Sequence, residues 1–401
     1  MTSPNNPDTG LHRARLAAAA AFATQGMVFI NLTTRLPDFT DKWTISDGNL
    51  TLLLLMMVLL AGGGSVLAET LAKSRDSASL LRVGLALIAL AVPLMSLAPT
   101  VVVFGAGMAI YGIALGIVDA TTNMQAVALE HRYGRPILPS FHGAWTLGGL
   151  LGACATLATS HLSLGVGAAL AVVPLVVLTG PLLRRVGDPA ATAPAVEVPW
   201  RPIVLVGLGM VLFYMVDTAA FTWGPLYLKH VFSETPASLF ALAVVPYLLS
   251  SGIMRIAGDG LVARYGAVPI LRTGAVIASA ALAVVVFAPV WQIAVIGFLI
   301  LGSGVGVIAP LSFSAAARIA GESGDDPAGS LGRQARVDAV IARFNQFNYL
   351  GALLGSVLTG AVGNDSLRVG FAVPMVLILG ILPLAKAFAP MTSEVAQAGA
   401  P

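Results

Sequence analysis

Charged residues are scarce in this 401-residue sequence: Asp, Glu, Lys and Arg together make up 10%, and aromatic residues 7%. A water-soluble globule carries about 25% charged residues, so a mean hydropathy of +0.87 and a 57% hydrophobic composition exclude that class. A single cysteine, Cys154, excludes an intrachain disulfide and leaves redox chemistry without a partner thiol. The sequence also lacks a Walker loop, a Cys or His cluster at metal-ligand spacing, and a nucleophile paired with a general base on a soluble domain. Neither an enzyme nor a metal nor a cofactor is expected, and ATP does not drive the protein directly. The Gly-rich run Ala61 to Gly64 lies inside an apolar stretch, where it cannot cradle phosphate. The net charge of +3 comes with no basic patch interleaved with aromatics, so nucleic acid is not an expected partner.

What the sequence does contain is long apolar segments. A spanning helix takes about 20 residues, and twelve such segments can be placed near 14–37, 50–71, 78–98, 101–129, 137–160, 163–184, 202–228, 236–257, 268–288, 291–317, 340–363 and 367–388. The expected fold class is an all-α integral membrane protein. An even number of spans puts both termini on one side. With that side taken as the cytoplasm, every Lys and Arg except Arg35, Lys42, Lys229 and Arg368 falls in a cytoplasmic loop or at a cytoplasmic helix end, which is a strong positive-inside pattern. Arg13 and Arg15 before an Ala-rich run imitate a secretory signal, but the apolar segment continues to Leu36 and reads as the first span.

Polar residues inside these spans carry the chemistry. In Tyr111 to Glu130, Gly112, Gly116, Asp119 and Asn123 share one helical stripe. An ionised carboxylate in hydrocarbon costs roughly 2.5 to 3.5 kcal/mol, so Asp119 must face protein or a wet cavity. It reads either as a reversible proton carrier, with Asn123 one turn on to bind its neutral form or a solute hydroxyl, or as a permanently protonated acid bonded to a neighbouring helix. The glycines fit close helix packing better than solute access. Asp217, in FYMVDTAAFTWGPLYL from 213 to 228, reads as a second proton site, as the partner of a cation in the solute, or as a neutral acid bonded across to span 1 or 11. His142 titrates near neutral pH and fits a proton relay or a packing role. Gln25, Asn31, Thr33, Thr34 and Arg35 make the second half of span 1 polar, and Arg35 reads equally as a snorkelling cation or a gate contact. Trp145, Tyr214, Trp223, Tyr227 and Tyr247 suit either stacking on a solute ring or packing. Asn345, Gln346 and Asn348 are three amides close together in one span, where each must be hydrogen-bonded; at least one is expected to touch solute. The loop Pro37 to Gly48, with Asp38, Asp41 and Asp47, reads as a solvated turn.

The chain repeats itself. Glu69, Leu71, Leu81, Arg82 and Gly84 recur 190 residues later as Asp259, Leu261, Leu271, Arg272 and Gly274, and Gly112 and Gly116 recur as Gly302 and Gly306. Near span 11 the offset becomes 203, with TLGGLLGA at 146–153 answered by YLGALLGS at 349–356, the extra residues falling in the polar loop Gly321 to Gln334. This divides the chain into 1–184, a linker at 185–201, and 202–401. Asp119 is answered by Ala309, and Phe141, His142, Gly143 and Trp145 by Phe344, Asn345, Gln346 and Asn348, which places polar residues of both halves at matching depth around a pseudo-two-fold axis. Glu69, Arg82, Arg255, Asp259 and Arg272, in the two matching loops, read as a cytoplasmic latch, with Arg255 and Asp259 at i,i+4 spacing.

Two six-helix halves, a repeated loop with an acid followed by bases, and a polar midplane resemble the major facilitator superfamily. Within it, TTRLPDF at 33–39, GIVDATTNMQAVALE at 116–130, SFHGAWTLGGLLGA at 140–153 and RIAGDGLVARYGAVPILR at 255–272 look like the YbjJ-like bacterial inner-membrane proteins, a branch similar to the fucose-proton symporters. Those symporters place an acid in helix 4 just before an Asn, which Asp119 and Asn123 match. They also use an acid in helix 1, where Thr33 stands here. Asp217 stands where the YbjJ-like pattern usually has Glu. The resemblance implies twelve helices in two pseudo-symmetric bundles, a bacterial inner-membrane location with both termini cytoplasmic, and transport by alternating access. The expected function is a proton-coupled secondary transporter of a small organic solute, with export favoured. Symport of a polar nutrient such as a sugar, or a non-transporting sensor or scaffold, are the alternatives. Partners are the solute, protons and lipid, with the chain acting as a monomer.

Overall fold

A bilayer offers no water to backbone groups, so each apolar segment must pair its own N–H and C=O groups as a helix. The computed structural model describes residues 7–72, 74–133, 137–184, 200–322, 337, 340, 344 and 346–389, and every regular element among them is helical. The first half comprises α1 (Pro7–Thr34), α2 (Asp47–Leu71), α3 (Ser77–Ser96), α4 (Val101–Tyr133), α5 (Leu138–Ala158) and α6 (Leu164–Ala171 continued by Val172–Val177). The second comprises α7 (Trp200–Val231), α8 (Ala237–Ala243 and Val245–Tyr265), α9 (Ala267–Phe287), α10 (Trp291–Val305 and Ile308–Glu322), α11 (Gln346–Leu353, Leu354–Leu358 and Thr359–Val362) and α12 (Leu367–Phe388). Among the described residues nine helices are long and apolar enough to cross a membrane. Helices α5, α6 and α11 occupy the other three places expected for spans. The linker residues 185–199 and the polar loop residues 323–336 lie outside the described part.

Packing repeats with the sequence. Helix α1 packs on α5, α2 on α4, and α3 on α4 and α6; α7 packs on α11, α8 on α10, and α9 on α10 and α12. The glycines explain the closest of these contacts. A Cβ on Gly116 of α4 would stand 1.9 Å from Ala61 O on α2, and one on Gly302 of α10 would stand 2.2 Å from Tyr247 O on α8. These positions serve backbone approach rather than solute access. The halves meet through α1 with α7, α2 with α11, and α5 with α8.

The face opposite the termini carries the four cations that break the positive-inside pattern, and each is held. Helix C-termini leave unpaired carbonyls with partial negative charge. Lys42 Nζ donates to Ala98 O (2.7 Å) after α3, and Arg368 Nη2 donates to Ala288 O (2.8 Å) after α9, the repeat partner of Ala98. Arg35 Nη2 donates to Thr159 O (2.8 Å) and Oγ1 (2.6 Å) beyond α5, while its Nη1 meets Asp38 Oδ2 at 3.0 Å. Lys229, at the end of α7, donates to Pro37 O (2.9 Å), Thr40 Oγ1 (3.0 Å) and Asp41 Oδ1 (2.6 Å).

The segment expected as a solvated turn is a helix, Leu36–Trp43, with Leu36, Pro37, Phe39 and Thr40 buried. Pro37 sits in its first turn, where a missing N–H costs nothing, and Thr44 closes it at φ 52°. Phe39 and Trp43 lie one turn apart and pack on Phe104 with ring centroids at 4.6 and 5.0 Å. The three aspartates dominated the sequence pattern and masked this amphipathic period. Together with His230 Nδ1 at 3.3 Å from Asp47 Oδ2, the Lys229 cluster fastens the two halves on this face. The adjoining part of α7, Met215 to Leu228, is buried on every side.

Candidate functional site between the halves

Asp119 sits where three helices converge. Its Oδ1 accepts from Gln25 Nε2 of α1 (3.3 Å) and its Oδ2 from Tyr349 OH of α11 (2.7 Å), so the carboxyl belongs to both halves at once. The side chain turns away from lipid because the same stripe of α4 carries Gly112 and Gly116 against α2. Asn123 donates to the backbone carbonyl of Asp119 (2.9 Å), so its amide nitrogen is engaged within α4 and not with the acid's carboxyl. Tyr349 was not singled out from sequence. Its repeat partner is Thr146, inside the matched segments TLGGLLGA and YLGALLGS, and that correspondence was the available signal.

Asp217 is buried (5% exposed), and its Oδ1 accepts from Tyr247 OH of α8 at 2.6 Å. The partner is therefore a neighbour in the same half, not span 1 or 11. Tyr214, one turn earlier on α7, lies within electrostatic reach of Asp119, Asp217 and Arg255 together. Arg255 of α8 crosses to the first half, where its Nη1 donates to Thr146 Oγ1 of α5 at 2.6 Å.

Aromatic rings complete the region. His142 stands edge-on to Phe22 (5.6 Å between centroids) and stacks on Phe313 of α10 (5.9 Å). Trp145 is tilted against Phe29 (6.4 Å) and Phe221 (6.0 Å). Gln346 Nε2 donates to Glu69 Oε1 at 3.1 Å, joining α11 to α2 on the side of the termini. Asn348 is partly buried nearby on α11.

Other expected site residues are placed elsewhere. Asn31 donates to Gly152 O (3.3 Å) and Thr156 Oγ1 (2.9 Å) within the first half, and Arg35 is tied to the end of α5 as described. Trp223 is fully buried, its Nε1 donating at 2.7 Å to Ser356 O, in the π-helical turn Leu354–Leu358 of α11. Such a turn shifts the backbone ladder, and the indole N–H supplies a donor to a carbonyl within it. Of the expected latch, Arg82 donates to Leu178 O (3.0 Å) and Gly180 O (3.1 Å), and Arg272 to Leu382 O (3.2 Å), so each clasps helices of its own half. Asn345 and the side chain of Asp259 lie outside the described residues. Among the described residues no group of three His, Cys, Asp or Glu could hold a metal.

A helical pair of bundles with polar groups gathered at their junction is the arrangement seen in membrane transporters, and comparison with known proteins agrees. No protein-family model matches the sequence. An uncharacterised MFS-type transporter of Yersinia pestis is 26% identical over 382 residues, covering 93% of this chain and 95% of that protein. The membrane protein MosC of Rhizobium meliloti is 26% identical over 305 residues, covering 75% of each. Among solved structures, the nucleoside transporter NupG superposes with a TM-score of 0.69 at 13% identity, covering 94% of this chain and 98% of that one. This chain has the fold of the major facilitator superfamily transporters. The Escherichia coli fucose:proton symporter FucP has the same fold, with a TM-score of 0.60 at 15% identity over 94% of this chain and 98% of that one. The superfamily fold accounts for the repeated packing of α1–α6 and α7–α12. The chain is a multi-pass membrane protein whose relatives and structural neighbours are transporters, not enzymes.

Proposed function

We propose that this protein is a secondary active transporter of a small organic solute, working by alternating access, with Asp119 as its proton-coupling group. The observation that carries the reading is the pair of hydrogen bonds from Gln25 and Tyr349 to the Asp119 carboxyl, one from each half. An ionised carboxyl only accepts, whereas a protonated one must donate through one oxygen. Protonation therefore rearranges a contact between the halves, and a solute that needs one arrangement becomes coupled to the proton. Asp217, held by Tyr247, is the second proton-coupling group proposed.

The moving bodies are residues 1–184 and 202–401, joined by the linker 185–201, in a bacterial inner membrane with both termini in the cytoplasm. The protein acts as a monomer. Export is the favoured direction, because Phe29, Trp145, Phe221 and Phe313 give the junction an aromatic wall and Thr33 stands where the sugar-proton symporters use an acid.

Reconstitution into proteoliposomes with an imposed pH gradient tests the coupling. Wild-type flux should follow the gradient, and Asp119→Asn should lose that response by at least about tenfold, which corresponds to roughly 1.4 kcal/mol, while retaining solute exchange without a gradient. Wild-type flux indifferent to the gradient would leave a passive facilitator and end the coupling scheme. The orientation of the effective gradient separates export from nutrient symport.

A further inference from the structure

Arg255 holds a charge inside the apolar window Ala237–Gly258 of α8, yet no carboxylate among the described residues lies within ion-pairing distance of it. Its Nη1 is bound to Thr146, its Nε is buried without a hydrogen-bond partner, and no described residue accepts from Nη2. A guanidinium in a membrane span is costly unless something pairs with it or water reaches it. The position is not a scaffold requirement, because its repeat partner in the first half is Ser65.

Other polar groups on the helices of the junction are also without described protein partners. Among the described residues, the hydroxyl of Tyr214, the ring nitrogens of His142, the indole nitrogen of Trp145 and the amide of Asn348 make no hydrogen bond, and all four side chains are partly exposed. Arg255 acts electrostatically on both His142 and Tyr214. Arg255 thus bridges α8 to α5 at the junction of the halves, with His142 and Tyr214 within its electrostatic reach and no described acceptor for its Nε and Nη2. We infer that Arg255 is the anchor for the carboxylate of the transported solute, which makes the substrate class small organic monocarboxylates with an aromatic or apolar body.

Three features select that class. With Nη1 taken by Thr146, the Nε and Nη2 edge keeps two parallel N–H donors without a described acceptor, Nε being buried, and this fork matches a planar carboxylate. One cation with the carboxyl of Asp217 within its electrostatic reach suits a single negative charge and disfavours a phosphate dianion. The rings of Trp145, Phe29, Phe221 and Phe313 provide an apolar surface for the rest of the molecule.

The inference rests on the transporter reading, but binding can be tested without flux. Benzoate, phenylacetate, their neutral amides and methyl phosphate are titrated into the detergent-purified full chain by calorimetry. Carboxylates should bind at least about tenfold more tightly than the matching amides and than methyl phosphate. Arg255→Gln should erase the difference between acid and amide, Arg255→Lys should restore part of it, and Tyr214→Phe should weaken the acids several-fold. Amides that bind as tightly as acids, acids that bind Arg255→Gln as tightly as wild type, or no binding of either acid would each overturn the inference. Should Arg255→Gln fail to fold, the acid and amide comparison on the unmutated chain and the Tyr214→Phe result decide. Selective carboxylate binding without flux would sink the transporter reading alone; gradient-driven flux of another solute with no preference for carboxylates would sink this inference alone.

Discussion

Tyr349 of α11 and Trp223 of α7 show how differently two polar aromatics are used. Tyr349 donates across the halves to Asp119, so Tyr349→Phe leaves the acid with one fewer donor while keeping the ring. The expected result is a several-fold loss of gradient-driven flux with little change in detergent melting temperature, read on the same preparation. Trp223 instead satisfies Ser356 O from a fully buried position. Replacing it with Phe strands a carbonyl away from water, which costs about 1 to 3 kcal/mol. Trp223→Phe should therefore lower the melting temperature while leaving flux per folded molecule near wild type. A Trp223→Phe protein with normal stability and lost solute binding would return that residue to the solute site.

At the level of helices, the repeated glycines set how closely α2 approaches α4 and α8 approaches α10. Gly116→Ala drives a Cβ into the Ala61 carbonyl, and a backbone atom cannot rotate away as a side chain can. A cost of about 1 to 3 kcal/mol is expected from such overpacking, seen as a lower melting temperature and poorer yield. Gly62→Ala is the control, since a Cβ there meets nothing within 4 Å. Equal stability for the two variants would show that α2 and α4 are not held at this separation. The helix Leu36–Trp43 is a second lesson at this scale. Its aspartates look like a loop in sequence, but Asp41 is the acid that receives Lys229.

For the molecule as a whole, the fastened face opposite the termini defines the state described. Lys229→Met removes three acceptor contacts that link α7 to the first half. With a change of about 1.5 to 3 kcal/mol for these charge-assisted bonds, the open population of that face rises roughly tenfold or more. Thr51 is a suitable reporter, buried (7% exposed) beside Gly360 and Trp223 at the sealed end. In a Cys154→Ala background, Thr51→Cys should react with an impermeant maleimide about tenfold faster when Lys229→Met is present. Unchanged labelling would mean that the Lys229 cluster does not hold the face shut.

Much of this architecture was legible in the sequence because it depends on local quantities. Hydropathy over some twenty residues places a span, an offset of 190 residues exposes the duplication, and an acid inside an apolar run is conspicuous whatever surrounds it. Which side of an apolar helix meets protein is a different matter. In hydrocarbon, lipid-facing and protein-facing surfaces are equally apolar, so sequence periodicity gives no direction to Trp223, Asn31 or Arg255. Only the packing of twelve helices sent Trp223 into α11, Asn31 into α5, Tyr349 onto Asp119, and Arg255 into the space between the halves with part of its hydrogen-bonding edge unpaired.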